Sequence, residues 1–281
     1  MNFKDKRVIA VNVAGGAIIL GALATFVNVS TSRPQVPLCD ARYERAQMMA
    51  LHNGGVPISS TDIQSASSGF DRGVLERLTV EEVRSAPSRF AMRIDLPIQV
   101  ERGEENPGVS FPWTPSTLEG AQQACLTYDL YLPRGFDFAS GGTLPGLYAV
   151  EKDSDFGSEV RVDMRVAWTG NGDARMKVRA HDERGTAEAA YPFYDKELPR
   201  GEWVRVNQEL ILNKPGEADG IARTWIDGRL QSERKGLNLR NSSDVVVAGV
   251  ASVVERAGGR KTPSESITDP VFVSPFVIRW R

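Results

Sequence analysis

Cysteine and histidine are almost missing from this 281-residue chain, which has two of each: Cys39 and Cys125, His52 and His181. So few, so far apart, they offer no ligand spacing, and neither a metal nor any other cofactor is expected. A disulfide-dense scaffold is excluded on the same count. No charge sign dominates, since 34 basic and 36 acidic side chains give a formal net charge of −2. Without a basic excess, nucleic acid is not an expected partner, and any binding of anions has to be local. There is no Gly-x-Ser-x-Gly elbow, phosphate loop, dinucleotide fingerprint or zinc signature. There is also no repeat of fixed period and no long low-complexity tract.

Charge is absent altogether from residues 8–29, behind a first segment that carries Lys4, Lys6 and Arg7. A run of this length can span a bilayer, and its positive flank predicts a cytoplasmic N-terminus. A cleavable signal with Ala22-Leu23-Ala24 as its cleavage site is the competing reading. Either way the rest of the chain is exported. Residues 1–32 are therefore expected to be a membrane anchor or signal helix. The protein is expected to be periplasmic or extracellular, held to the inner membrane by residues 8–29 unless they are removed. In an oxidising compartment Cys39 and Cys125 most readily form one disulfide. Two buried free thiols are the alternative.

Residues 33–89 read as a linker and short helical stalk. A helix is expected over 40–51, and a loop containing a solvated His52 over 52–69. The Thr79-Val80-Glu81-Glu82 capping box predicts a further short helix ending before Pro87. From residue 90 the texture becomes that of strands, expected over 90–100, 124–132, 160–168, 175–180, 203–212, 222–226, 244–254 and 271–280. Gly, Pro, Asn and Asp clusters separate them. No helix-length amphipathic run lies between them, which argues against parallel βαβ units. An all-β antiparallel sandwich over 90–281 is the expected fold class.

The strongest local pattern has a period of two. Glu159, Arg161, Asp163 and Arg165 alternate with Val160, Val162, Met164 and Val166. After a turn at Gly170-Asn171-Gly172, Arg175, Lys177, Arg179 and His181 alternate with Met176, Val178 and Ala180. Successive strand side chains point to opposite faces, so this is a hairpin with one apolar and one charged face. Folding about Asn171 sets Arg165 against Lys177, Asp163 against Arg179 and Arg161 against His181. Such a strip is either a solvated face with weak cross-strand ion pairs or a groove for a long anionic ligand. Trp168 falls on the apolar phase, as does Tyr128 on its own strand, and both are expected in the core. The spacing of two carboxylates needed for retaining glycoside hydrolysis is missing from this strand.

Several segments, in order, resemble a known family. They are Leu126-Thr127-Tyr128-Asp129-Leu130-Tyr131-Leu132-Pro133, Gly141-Gly142-Thr143-Leu144-Pro145-Gly146-Leu147-Tyr148 and Arg165-Val166-Ala167-Trp168. Gly201-Glu202-Trp203-Val204, Leu212-Asn213-Lys214-Pro215-Gly216, Thr224-Trp225-Ile226-Asp227-Gly228 and Phe276-Val277-Ile278 follow. Together they are similar to the alginate lyase and glucuronan lyase-like jelly rolls, the group that includes polysaccharide lyase families 14 and 20. The resemblance implies a concanavalin A-like jelly roll that binds an acidic polysaccharide and cleaves it by β-elimination. It places the charged hairpin on the concave face. It also shows departures: Thr143 stands where the family has Lys, Asp163 where it has Ser, and Lys177 and Arg179 where it has a Tyr-x-Tyr pair.

Arg165 matches the family and is expected to neutralise the sugar carboxylate. Lys177 and His181 are the proton-transfer candidates, since catalysis beside a carboxylate needs charge neutralisation and a base titrating near the working pH. Arg161, Asp163, Arg175, Arg179, Thr143 and Tyr148 are the expected sugar contacts. The functions left open are a lyase, a non-catalytic envelope protein that guides an anionic exopolysaccharide, and a structural sandwich.

Overall fold

The computed structural model describes residues 35–97, 108–152, 154, 160–182, 185–258 and 268–281. The expected anchor or signal over residues 8–29 lies outside them. Among the described residues no helix is long and apolar enough to cross a membrane. Pro37–Arg281 forms one compact unit. Its strands are β1 (Arg45–Met48), β2 (His52–Asn53), β3 (Val56–Pro57), β4 (Leu78–Glu82), β5 (Phe90–Pro97) and β6 (Gly108–Trp113). There follow β7 (Gln123–Tyr131), β8 (Gly141–Glu151), β9 (Val162–Thr169), β10 (Asp173–Asp182), β11 (Gly185–Glu197) and β12 (Trp203–Ile211). The last are β13 (Gly220–Ile226), β14 (Arg229–Leu237), β15 (Val245–Arg256), β16 (Thr268–Val273) and β17 (Val277–Trp280).

Two antiparallel sheets make a sandwich, as the strand pattern predicts. One has six strands in the order β11-β10-β9-β8-β15-β6. The other has nine, running β14-β13-β12-β7-β16-β5-β4, with β17 also paired to β7 and β1 to β17. The core between them follows from alternation. From β9 and β10 it takes Val162, Met164, Val166, Trp168, Met176 and Val178. From the facing sheet it takes Leu126, Leu130, Val206, Leu210, Val273 and Ile278. Each such side chain contributes about 1.5–3 kcal/mol when fully buried. Trp168 and Tyr128 are both in this core.

The segment before residue 90 departs from expectation. In place of a helix over 40–51 there is a 3-10 turn, Asp40–Arg42, and then β1, which pairs with β17. The apparent capping box at Thr79 lies in β4, paired with β5. Glu81 and Glu82 are there as strand residues, with Glu82 bound to Arg89. The helix that does form, α1 (Ser60–Ala66), is opened by a Ser59–Asp62 capping box inside the expected loop. A second helix, α2 (Val74–Arg77), is one turn long. His52 is exposed and rests against Phe90, with ring centroids 5.0 Å apart. Cys39 and Cys125 form a disulfide that spans 86 residues and pins the first segment to β7.

Candidate functional site

The β9–β10 hairpin has the register that its turn predicts. Lys177 lies opposite Arg165 and Arg179 opposite Asp163, and the His181 amide donates to the Arg161 carbonyl at 2.7 Å. The charged residues share the face of the six-stranded sheet turned away from the core. Gly172, at φ +84°, closes the turn in the left-handed conformation.

That face is organised in rows that run across the strands. The first row is Glu255 (β15), Thr143 (β8), Ala167 (β9) and Arg175 (β10), placed by consecutive register pairs. The second contains Gly146, Arg165 and Lys177, and the third Tyr148, Asp163, Arg179 and Glu188. Between the first two rows β8 bulges at Leu144-Pro145. The Pro145 carbonyl turns inward, where it accepts from Gln208 Nε2 at 2.7 Å and Tyr128 Oη at 3.2 Å. Burial pushes the Tyr128 phenol up, so it remains a donor. A side chain at Gly146 is impossible without movement, because its Cβ would lie 1.8 Å from the Met164 carbonyl oxygen. The result is a floor of short side chains, Thr143, Gly146 and Ala167, with longer charged ones on both sides.

Asp163 is the electrostatic centre. Its side chain is only 5% exposed and takes Arg165 Nε at 3.2 Å together with the Arg179 guanidinium. Lys177 Nζ meets Glu188 at 2.9 Å, and Arg161 meets Glu151 at 3.0 Å. Arg175 stands apart: no ion pair reaches it among the described residues, and its buried Nε has no hydrogen-bond partner. The basic strip read from the sequence is therefore largely neutralised: four of its five cations pair with the carboxylates of Glu151, Asp163 and Glu188, and Glu255 stands at the head of the row that ends at Arg175.

The structure gathers Arg165, Lys177, Arg175, Arg179, Asp163 and Thr143 in adjacent rows. His181 is not among them. It is four residues beyond Lys177 on β10, about 14 Å along an extended strand, and its Nδ1 is 2.7 Å from Thr186 Oγ1. Tyr148 is also not a surface contact: it is 1% exposed, packs with Val150, Ala251 and Val253, and its hydroxyl lies 2.6 Å from Thr114 Oγ1.

Glu255 escaped the sequence reading. Burial raises its carboxyl above the usual range, while Arg72 and Arg165 pull it back. The signal is in the sequence, because Glu255 follows the mostly apolar stretch Val250–Val254 in the same phase as the outward Ala251 and Val253. Among the described residues no group of histidine, cysteine and carboxylate side chains is placed to hold a metal.

A family model matches the chain, and several solved structures share its fold. The family model described as polysaccharide lyase 14 matches residues 85–261. The fold is similar to that of a PL-14 alginate lyase from Aplysia kurodai, at a TM-score of 0.65 and 18% identity, covering 85% of this chain and 99% of that one. It is also similar to an alginate lyase from a Chlorella virus, at a TM-score of 0.56 and 16% identity, over 73% and 89% of the two chains. An endo-β-1,4-glucuronan lyase from Trichoderma reesei gives a TM-score of 0.52 and 11% identity, over 76% and 89%. No curated protein matches the sequence.

Proposed function

The chain belongs to the polysaccharide lyase 14 family, and from that premise we propose that it is an exported lyase acting on an acidic, uronate-containing polysaccharide. The polymer lies along the outward face of the six-stranded sheet. The observation that carries this reading is Arg165, held by a buried Asp163 beside Lys177 and above a floor of short side chains.

Removing the proton next to a uronate carboxylate is feasible only if the charge that develops on that carboxylate is stabilised. A guanidinium suits the task, since its planar fork matches a carboxylate. Asp163 fixes Arg165 in place at no cost in reorganisation, and Arg175, which no ion pair reaches among the described residues, adds a second guanidinium. Lys177, paired across the strands with Arg165, is placed to protonate the departing glycosidic oxygen. The long uncharged run at residues 8–29 and the Cys39–Cys125 bridge both support export, and anchoring to the inner membrane is part of the proposal.

A second reading has its own support. Thr143, Lys177 and Arg179 occupy positions where the resembled lyases carry Lys and two Tyr, and most of the cations are already paired. On that reading the protein holds or guides an anionic polymer without cutting it. Incubating the full-length protein with alginate and with glucuronan separates the two. Growth of the ultraviolet absorbance of unsaturated uronate supports the lyase. Retained polymer binding without that product refutes it and leaves the binder.

A further inference from the structure

The lyase reading leaves the proton abstraction without an owner, because His181 is remote from Arg165 and Tyr148 is buried. We propose that Glu255 is the base of this site, in a trough whose floor is Thr143, Gly146 and Ala167. This rests on the lyase reading above and deepens it.

Three observations carry the assignment. Glu255 heads the row that passes over Thr143 and Ala167 to Arg175. Its backbone is three strand spacings, about 14 Å, from that of Arg175. Only a threonine and an alanine stand between these two long side chains in the row. Second, Glu255 takes the place beside Thr143, the position where the family's lysine is absent. Third, its environment suits a base. The side chain is 27% exposed, so it is reachable, and among the described residues its closest cation is Arg72 from the loop before α2, at 4.0 Å. Among the described residues Arg165 on β9 also acts on it. Neither makes a close ion pair with it, and partial burial raises its basicity relative to an exposed carboxylate.

The Glu255 carboxylate takes the proton from C5 of the uronate, and the electron pair left behind forms the C4–C5 double bond as the C4–O4 bond breaks. O4 leaves with that bond's electrons and receives a proton from the Lys177 ammonium. Transfer of one proton from Glu255 to Lys177 through solvent restores both groups, and no oxidant or cofactor is needed.

The test compares full-length wild type, Glu255→Gln, Glu255→Asp and Arg165→Ala on polymannuronate, polyguluronate and glucuronan. The expected result is a loss of kcat of about 100-fold or more in Glu255→Gln, with polymer affinity retained and the thermal midpoint at neutral pH not lowered. Partial recovery is expected in Glu255→Asp, and the acidic limb of the wild-type kcat/KM profile disappears in Glu255→Gln. Arg165→Ala instead loses polymer affinity as well. If wild type is active and Glu255→Gln keeps its kcat within about threefold, Glu255 is not the base and the lyase reading survives. If wild type binds polymer but forms no unsaturated product, both fall.

Discussion

Replacing both Cys39 and Cys125 by serine is expected to cost the fold about 4–5 kcal/mol. The bridge closes a loop of 86 residues, for which the chain-entropy model gives about 4.6 kcal/mol at 25 °C. In a unit of this size each kcal/mol moves the thermal midpoint by about 2–4 °C, so a fall of roughly 9–18 °C is expected. The native side of the equilibrium changes less, because the first segment has other attachments. Arg42 and the Tyr43 hydroxyl reach Glu209 at 2.7 and 2.8 Å, and Arg223 holds the same carboxylate at 2.6 Å. β1 also remains paired with β17. The loss is therefore one of unfolded-state restraint, and it has a second signature. The serine variant's unfolded chain is more expanded, so its urea m-value rises. Urea and thermal unfolding of the variant, beside oxidised and reduced wild type, measure both quantities. An unchanged midpoint with an unchanged m-value would refute the argument.

Three further outcomes follow from the site. Asp163→Asn leaves Arg165 and Arg179 without their shared carboxylate, so stability is expected to fall by about 1–3 kcal/mol, and polymer affinity with it. Calorimetric unfolding and binding isotherms check both. Gly146→Ala drives a methyl into the Met164 carbonyl, with an expected cost of about 1–3 kcal/mol read by urea unfolding; a neutral result means that β8 is not held at its bulge. The folded carboxyl of Glu255 titrates higher than the unfolded one, so the native state binds more protons above the unfolded value. Its contribution to stability is thus full at low pH and lost as pH rises through the folded pKa. The stability of Glu255→Gln relative to wild type is expected to improve from pH 4 to pH 8, and a difference flat with pH would show that the carboxyl is not raised.

How much was legible depended on whether neighbouring residues or distant ones decided the outcome. The β9–β10 hairpin was readable to the residue pair, since its alternation and glycine turn fix the register locally. β8 carries no strand signal in the sequence, because its glycines and proline read as a loop motif. Tertiary contacts, the Gln208 bond to Pro145 above all, make it a bulged strand. β11 was also missed: Gly185–Glu197 is mostly exposed and rich in alanine, so it lacks the apolar phase that marks a buried strand. The helix expected over 40–51 failed for another reason. Its alanines and methionines favour a helix, but the pairing of β1 with β17 and the bridge at Cys39 override that preference. The site was half visible. Arg165, Lys177 and Asp163 came from one hairpin, whereas Glu188 and Glu255 reach the face from strands whose place beside it only the topology reveals.

The near-neutrality of this face determines how a polyanion can engage it. An incoming uronate does not settle on a bare cationic strip. At Lys177, Arg165 or Arg179 it has to trade places with Glu188 or Asp163, one carboxylate for another. Among the described residues Arg175 is the cation of this strip that can take a sugar carboxylate with no carboxylate to displace. Exchange of this kind makes each contact weak, damps the dependence on ionic strength that a bare patch would show, and leaves selectivity to shape and chain length.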